Sequence, residues 1–250
     1  MIRQSDQRKG GYQPRTYRNL LMDKNLVSFQ VTVKETDLFI KASRDLQKLA
    51  RDAVIRYRYQ LEQYIALHPE FFRSLTPLAA DGMASPIIRE MIGAAQRAGV
   101  GPMAAVAGAM AEFVGRELLR EATDVIVENG GDIYIHSLRD LKVGIYASHS
   151  PLSFRVGLRV PAANHGWGVC TSSGTVGPSL SFGRADAVCV IAPSASLADA
   201  AATAIGNLIN SPADLPEGLE RAKSIEGITG VVLIIGEKLG AWGEVELVKI

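Results

Sequence analysis

The chain has 250 residues, 47% of them hydrophobic and 21% charged, with a formal net charge of +1. That length supports a sizeable core in one large domain or two small ones, and the near-neutral charge gives no general attraction to nucleic acid or to a membrane surface. The two cysteines, Cys170 and Cys189, are too few for a disulfide framework, so they are expected as unbridged thiols in a reducing cytoplasm.

Met1–Asn19 is polar and carries Arg3, Arg8, Lys9, Arg15 and Arg18. It reads as a basic flexible tail (1–19) and lacks the apolar run of a secretory signal. Leu26–Val33 alternates and is rich in β-branched residues, which predicts a strand paired in a hairpin with Thr36–Ala42. Asp45–Leu67 repeats apolar residues at helical spacing, and its arginine-rich opposite face reads as solvated. Proline ends that helix at His68-Pro69, opens the next at Ser85-Pro86 and a third at Gly101-Pro102. The nearly uncharged stretch Val100–Val114 is interrupted by Glu112 and is too short to span a bilayer. Asp124–Val127 and Asp132–His136 are strands, joined by a turn at Glu128-Asn129-Gly130-Gly131, where Asn-Gly is a strong hairpin signal.

The second half repeats this order loosely. Val143–Ser148, Phe154–Val160, Trp167–Cys170 and Ala185–Ile191 read as strands. A helix at Ser196–Asn210 and a short one at Pro216–Lys223 follow, and Val231–Ile235 and Val245–Ile250 close the chain as strands. Hairpins on both sides of the helices predict an α+β fold with mostly antiparallel sheets. The expectation is a single domain over 20–250 built of two halves, about 20–140 and 141–250. No strand runs into a G-x-G-x-x-G turn, no P-loop is present, and His68, His136, His149 and His165 lack zinc-ligand spacing. Trp167 is either a stacking platform or core, and Cys170 either a nucleophile or an inert buried thiol.

The chemistry concentrates in Val169–Asn207. The small residues of Thr171–Gly177 let main-chain N–H groups approach an anion. Asp199 and Thr203 stand four apart on one helix face, where two hard oxygen ligands suit magnesium beside a phosphate. Ser196-Leu197-Ala198-Asp199 is equally a capping box, in which Asp199 only satisfies helix-start donors. Asn129-Gly130-Gly131-Asp132 carries a similar alternative, with Asp132 a satisfied turn residue.

Several segments together resemble the ApbE-like superfamily, whose known enzymes are FAD:protein FMN transferases. Asn129-Gly130-Gly131-Asp132-Ile133 is similar to its N-x-G-G-D-I turn, Thr171-Ser172-Ser173-Gly174 to its T-S-G loop, and Ala198–Ala204 to its A-D-A-x-x-T-A helix start. The N-terminal part, with His68-Pro69-Glu70-Phe71 and Gly99–Met110, resembles a branch of the superfamily without an assigned activity. The resemblance implies tandem T-fold-like ββααββ units and Mg2+ at Asp199 and Thr203. It also implies FAD or FMN bound by Asn129, Gly130, Gly131, Thr171, Ser172, Ser173, Gly174 and Thr175, with Glu112 standing for the family's later acidic residue. The family's K-G pair is here Ala107-Gly108, and its H-x-I-x-P-x-T-G segment is replaced by Pro178–Arg184 without a histidine. The expected function is binding of a flavin or other nucleotide with Mg2+, with nucleotidyl or FMN transfer or FAD hydrolysis as the chemistry. A non-catalytic binding or regulatory module that keeps the fold is the alternative. The expected partners are that small molecule, an acceptor protein if transfer occurs, and a second copy of the chain; nucleic acid and membrane are not expected.

Overall fold

The computed structural model describes residues 26–174 and 182–250; the basic tail, Thr175 and part of the Thr171–Gly177 loop lie outside the described residues. The chain begins with the hairpin β1 (Val27–Val33) and β2 (Thr36–Ala42). The helices α1 (Gln47–Leu67), α2 (Pro69–Arg73) and α3 (Pro86–Ala98) follow, then a 3-10 turn at Pro102–Ala105 that runs into α4 (Val106–Leu118). The next elements are β3 (Val125–Asn129), β4 (Asp132–His136), β5 (Leu141–Gly144), β6 (Val156–Val160), β7 (Trp167–Ser172) and β8 (Ala187–Ala192). The chain closes with α5 (Ala195–Gly206), α6 (Leu215–Ser224), β9 (Gly230–Ile235), β10 (Lys238–Gly243) and β11 (Glu246–Lys249).

The eight-stranded sheet has the order β1-β2-β3-β4-β7-β8-β9-β10, and each of its pairings is antiparallel. It consists of two like units placed edge to edge. In each, a hairpin leads into helices and a second hairpin returns beside the first, so the α+β, tandem ββααββ expectation matches the structure. The units meet where β4 pairs with β7, with Asp132 opposite Cys170.

Two details differ from the sequence expectation. The second unit starts at Trp167 rather than near residue 141, because β5 and β6 join β11 in a separate three-stranded sheet. β10 had no sequence signal, since K-L-G-A-W-G carries two glycines and little β-propensity. Gly236 at φ +58 makes the two-residue turn that folds it back onto β9.

The central strands of the large sheet are buried on both faces, while the edge strands β1 and β10 carry exposed residues. Helices cover one face over a core that includes Leu38, Ile40, Met91, Leu118 and Leu197. The small sheet covers the other over Ile126, Ile135, Leu158, Ile191 and Ile234. This explains why β8 is apolar without alternation: Val188 and Val190 face the helices while Cys189 and Ile191 face the small sheet. Cys170 and Cys189 lie on opposite faces, and both are free and buried. Among the described residues no single helix is long and apolar enough to cross a membrane.

Candidate functional site

The first residue of α5, Ala195, is squeezed between two other elements. A Cβ on Gly108 would collide with the Ala195 carbonyl, and a Cβ on Gly168 with the Ala195 main chain. Glycine at both positions therefore lets α4 and β7 close onto the start of α5. Ser194 caps this helix, its Oγ accepting from the Leu197 N–H at 3.3 Å. Ser196 is already inside the helix, so the capping-box reading of Ser196 and Asp199 does not hold. The helix starts too early for Asp199 to reach its own first-turn donors.

Asp199 instead reaches α4. Its Oδ2 accepts from the Gly108 N–H at 2.9 Å, and the Ala107 N–H also bonds its carboxylate. These are first-turn donors of α4, which need an acceptor from outside that helix. Glu112 on α4 makes the reverse connection. Its Oε2 accepts from the Ala195 N–H at 2.8 Å and the Ser196 N–H at 3.2 Å, and its Oε1 pairs with Arg116. Each helix thus lends a carboxylate to the other's first turn.

Asp132 extends from β4 on the helix-facing side of the sheet, toward Asp199. Each of the two is only 9% exposed. Burial raises the pKa of Asp132 well above the usual range, and the Asp199 charge adds to this; the Cys170 thiol and the Thr171 N–H oppose it. Burial pushes Asp199 up to about 7, against the main-chain donors of Gly108 and Ala107. The Cys170 Sγ donates to the Ala195 carbonyl at 3.3 Å. Burial first, then the two aspartates, hold its thiol well above the normal value, so Cys170 is a protonated thiol and a poor nucleophile.

A family model described as AbpE bacteria matches residues 18–244. The chain belongs to this family. It is 41% identical over 231 residues to a UPF0280 protein of Methanococcus aeolicus, covering 90% of this chain and 93% of that one. A UPF0280 protein of Methanocaldococcus jannaschii is 40% identical over 227 residues, covering 88% and 92%. The structure is similar to a flavin transferase ApbE from Vibrio cholerae, with a TM-score of 0.56 at 12% identity over 87% of this chain and 96% of that one. It is also similar to the apo form of a Pseudomonas stutzeri flavinyl transferase ApbE, with a TM-score of 0.53 at 16% identity over 89% and 96%. At such identity these likenesses concern the fold alone.

Within this AbpE bacteria chain the expected site residues do not all converge. Asn129 donates from Nδ2 to the Ala107 carbonyl at 3.1 Å, beside Asp199. Gly130 and Gly131, at φ +71 and +108, make the turn, and the Gly131 N–H donates to Glu128 Oε1 at 2.9 Å. Thr171 lies in β7 rather than in a loop; its N–H serves Asp132 while its hydroxyl bonds Cys189 on the far face. Ser172 faces α5 near Gly206. Ser173 and Gly174 follow, with the Gly174 N–H donating to the Ala185 carbonyl at 3.0 Å. Thr203 lies half-buried one turn after Asp199. The Glu112 side chain is fully buried, with Oε2 at the first turn of α5 and Oε1 paired with Arg116. Trp167 packs on the far face, with Nε1 donating to the Pro161 carbonyl at 3.1 Å.

The sequence leaves Asp132 open between a satisfied turn residue and a functional group. Its place in the G-G-D turn was the available signal, but pairing with Asp199 depends on β4 and β7 being neighbours. Among the described residues no three or more His, Cys, Asp or Glu side chains are placed to hold a metal ion. The site therefore offers two carboxylates and main-chain groups, which do not fit a closed structural metal cage. They do fit an ion such as magnesium that keeps waters and shares phosphate oxygens.

Proposed function

We propose that the seam between β4 and β7 binds a flavin or related nucleotide through a magnesium ion held at Asp199 and Thr203, with Asp132 as the second carboxylate. One observation carries this reading: two nearly enclosed carboxylates from different units face one another. Among the described residues, the groups that shift them are main-chain N–H donors, a thiol and neighbouring acids rather than a lysine or arginine. Two such charges repel in a low-dielectric interior, and a cation between them relieves the repulsion. Asn129 and the first turn of α4 hold Asp199 in place, and the Ser172 hydroxyl stands beside α5 near Gly206. When bound, magnesium would neutralise charge on the phosphate oxygens.

Binding is favoured over group transfer by two placements. The first-turn donors of α5, an anion site in many proteins, are occupied by Glu112. His68, His136 and His165 bond Glu70, the Thr123 carbonyl and the Gly166 carbonyl, away from Asp199. Likeness to proteins called flavin transferases supports the choice of flavin as first ligand to test.

Titration calorimetry with FAD and magnesium tests this reading. The wild-type chain should bind FAD only with magnesium present, and Asp199→Asn should abolish that binding while melting near the wild-type temperature. Equal affinity in the two proteins would sink the reading and leave Asp199 as a cap for α4.

A further inference from the structure

We infer that Glu112 is a positioning residue that sets where Asp199 stands, because it closes a ring of contacts running from one aspartate to the other. This rests on the reading of Asp199 and Asp132 as the binding pair. The ring starts at Asp132 on β4. Two residues along the same strand and on the same face is Tyr134, whose ring fills a slot between α4 and the loop before β7. A Cβ on Gly115 or on Gly166 would strike it. The Tyr134 ring lies against Gly115, next to Arg116, whose charge acts on the Tyr134 hydroxyl; Arg116 pairs with Glu112 Oε1, and Glu112 Oε2 holds the Ala195 and Ser196 N–H groups of α5. One turn later on α5 is Asp199, which returns to α4 at the Gly108 N–H.

The ring leaves little slack. Ala195 already touches Gly108 and Gly168 at closest approach. Ser194 Oγ lies 3.1 Å from both Glu112 Oε2 and Glu90 Oε1, which ties α3 to the same joint. The Glu112 carboxylate connects α4, α5 and, through Arg116, the strand that carries Asp132. Loosening it moves α5 as a rigid rod, and Asp199 moves with the rod. An ordinary one-sided cap would hold only its own helix end.

The test uses Glu112→Gln, which keeps side-chain length and one carbonyl acceptor but withdraws the charge that holds Arg116. Tyr134→Phe cuts the same ring at its other end by removing one oxygen. Amide hydrogen exchange in the full chain reads the joint without any ligand. In Glu112→Gln, exchange should rise roughly tenfold at Ala195 and Ser196, as for loss of a hydrogen bond to a charged group, and also at Gly108 on the partner helix. Affinity for FAD with magnesium should fall roughly tenfold, and Tyr134→Phe should shift both readouts in the same direction by less.

Faster exchange at Ala195 and Ser196 with Gly108 and the affinity unchanged would overturn the inference, since two independent caps behave that way. If Glu112→Gln does not fold, Tyr134→Phe decides, and unchanged exchange at Gly108 in that variant overturns it. A wild-type chain that binds neither magnesium nor FAD defeats the binding reading, and the exchange at Gly108 still decides whether the two helices are coupled.

Discussion

The central strands of the eight-stranded sheet are buried on both faces, yet by different chemistry. The face under the small sheet is filled by Ile126, Ile133, Ile135, Val169, Ile191, Val232 and Ile234 against Val143, Leu158 and Val160. One buried carboxylate there, Glu128, sits at the turn and is bonded by the Gly131 N–H. The face under the helices has as large an apolar core, but Asp132, Cys170, Asp199 and Glu112 are buried within it. Burying a carboxylate costs free energy that an apolar side chain would not. The far face also buries charge, at Asp37, Lys41 and Glu128. The helix face differs in that one buried acid, Asp199, disfavours the ionisation of another, Asp132.

The contrast can be broken most forcefully on the far face. Leu158 is fully buried there, and Leu158→Ala should lower stability by about 2–5 kcal/mol through lost burial and the cavity left behind. Binding of FAD with magnesium should be unchanged in the protein that remains folded. Urea denaturation and calorimetry on one preparation check both halves. Loss of affinity as large as the loss of stability would show that the two faces are not separable.

A smaller effect of opposite sign is expected on the helix face. Asp132→Asn removes one of two facing buried charges and keeps an acceptor for the Thr171 N–H. It should raise the stability of the metal-free chain at pH 8 by about 1 kcal/mol while abolishing magnesium-dependent binding. Linkage fixes the pH dependence. Asp199 has its folded pKa raised from 3.8 to about 7, so between those values the folded chain binds more protons than the unfolded one. The pair's contribution is therefore fullest below about pH 4 and is lost as the pH rises through about 7. Glu35, Glu62, Asp81, Asp140 and Asp214 have lowered pKa values and act with the opposite sign. The difference between wild type and Asp132→Asn across pH 4–8 reads the raised Asp132 pKa, and a flat difference would show that burial and Asp199 together do not raise it.

Much of the fold was legible because local patterns and tertiary demands agree. Thr36–Ala42 and Asp132–His136 are strands with the bounds their β-branched and apolar residues suggest, and Pro86 opens α3 as proline commonly does. Helix α5 shows where legibility stops. Pro193-Ser194-Ala195-Ser196 contains two serines able to cap, and the sequence does not choose between them. The structure takes Ser194, which places Asp199 in the second turn and frees it for α4. In the site, the Asp199–Thr203 spacing was readable because it is local to one helix. Asp132 opposite Asp199, and Glu112 at the start of α5, were not readable. Each pair joins different units and exists only because β4 and β7 are neighbours and the glycines at 108 and 168 admit α5.

The finest probe of the contrast deletes the same atom on each face. Cys170 and Cys189 are both fully buried in adjacent strands, so their replacement by alanine removes equal volume. Each should cost about 1 kcal/mol, the usual size for a small buried change. Their surroundings differ. Cys189 bonds the Thr171 hydroxyl among apolar neighbours, and its loss should leave the pH dependence of stability as it was. The Cys170 thiol touches the Ala195 carbonyl and favours ionisation of Asp132. Without it Asp132 should be harder to ionise, so in Cys170→Ala the fall in stability should begin as in wild type and extend to higher pH. Paired pH titrations of unfolding free energy, taken as the difference between the two alanine variants, cancel the shared loss of volume. A sloped difference that appears only with Cys170→Ala supports the polar character of the helix face. Identical profiles would mean that the thiol contributes packing alone and that the aspartates ionise independently of it.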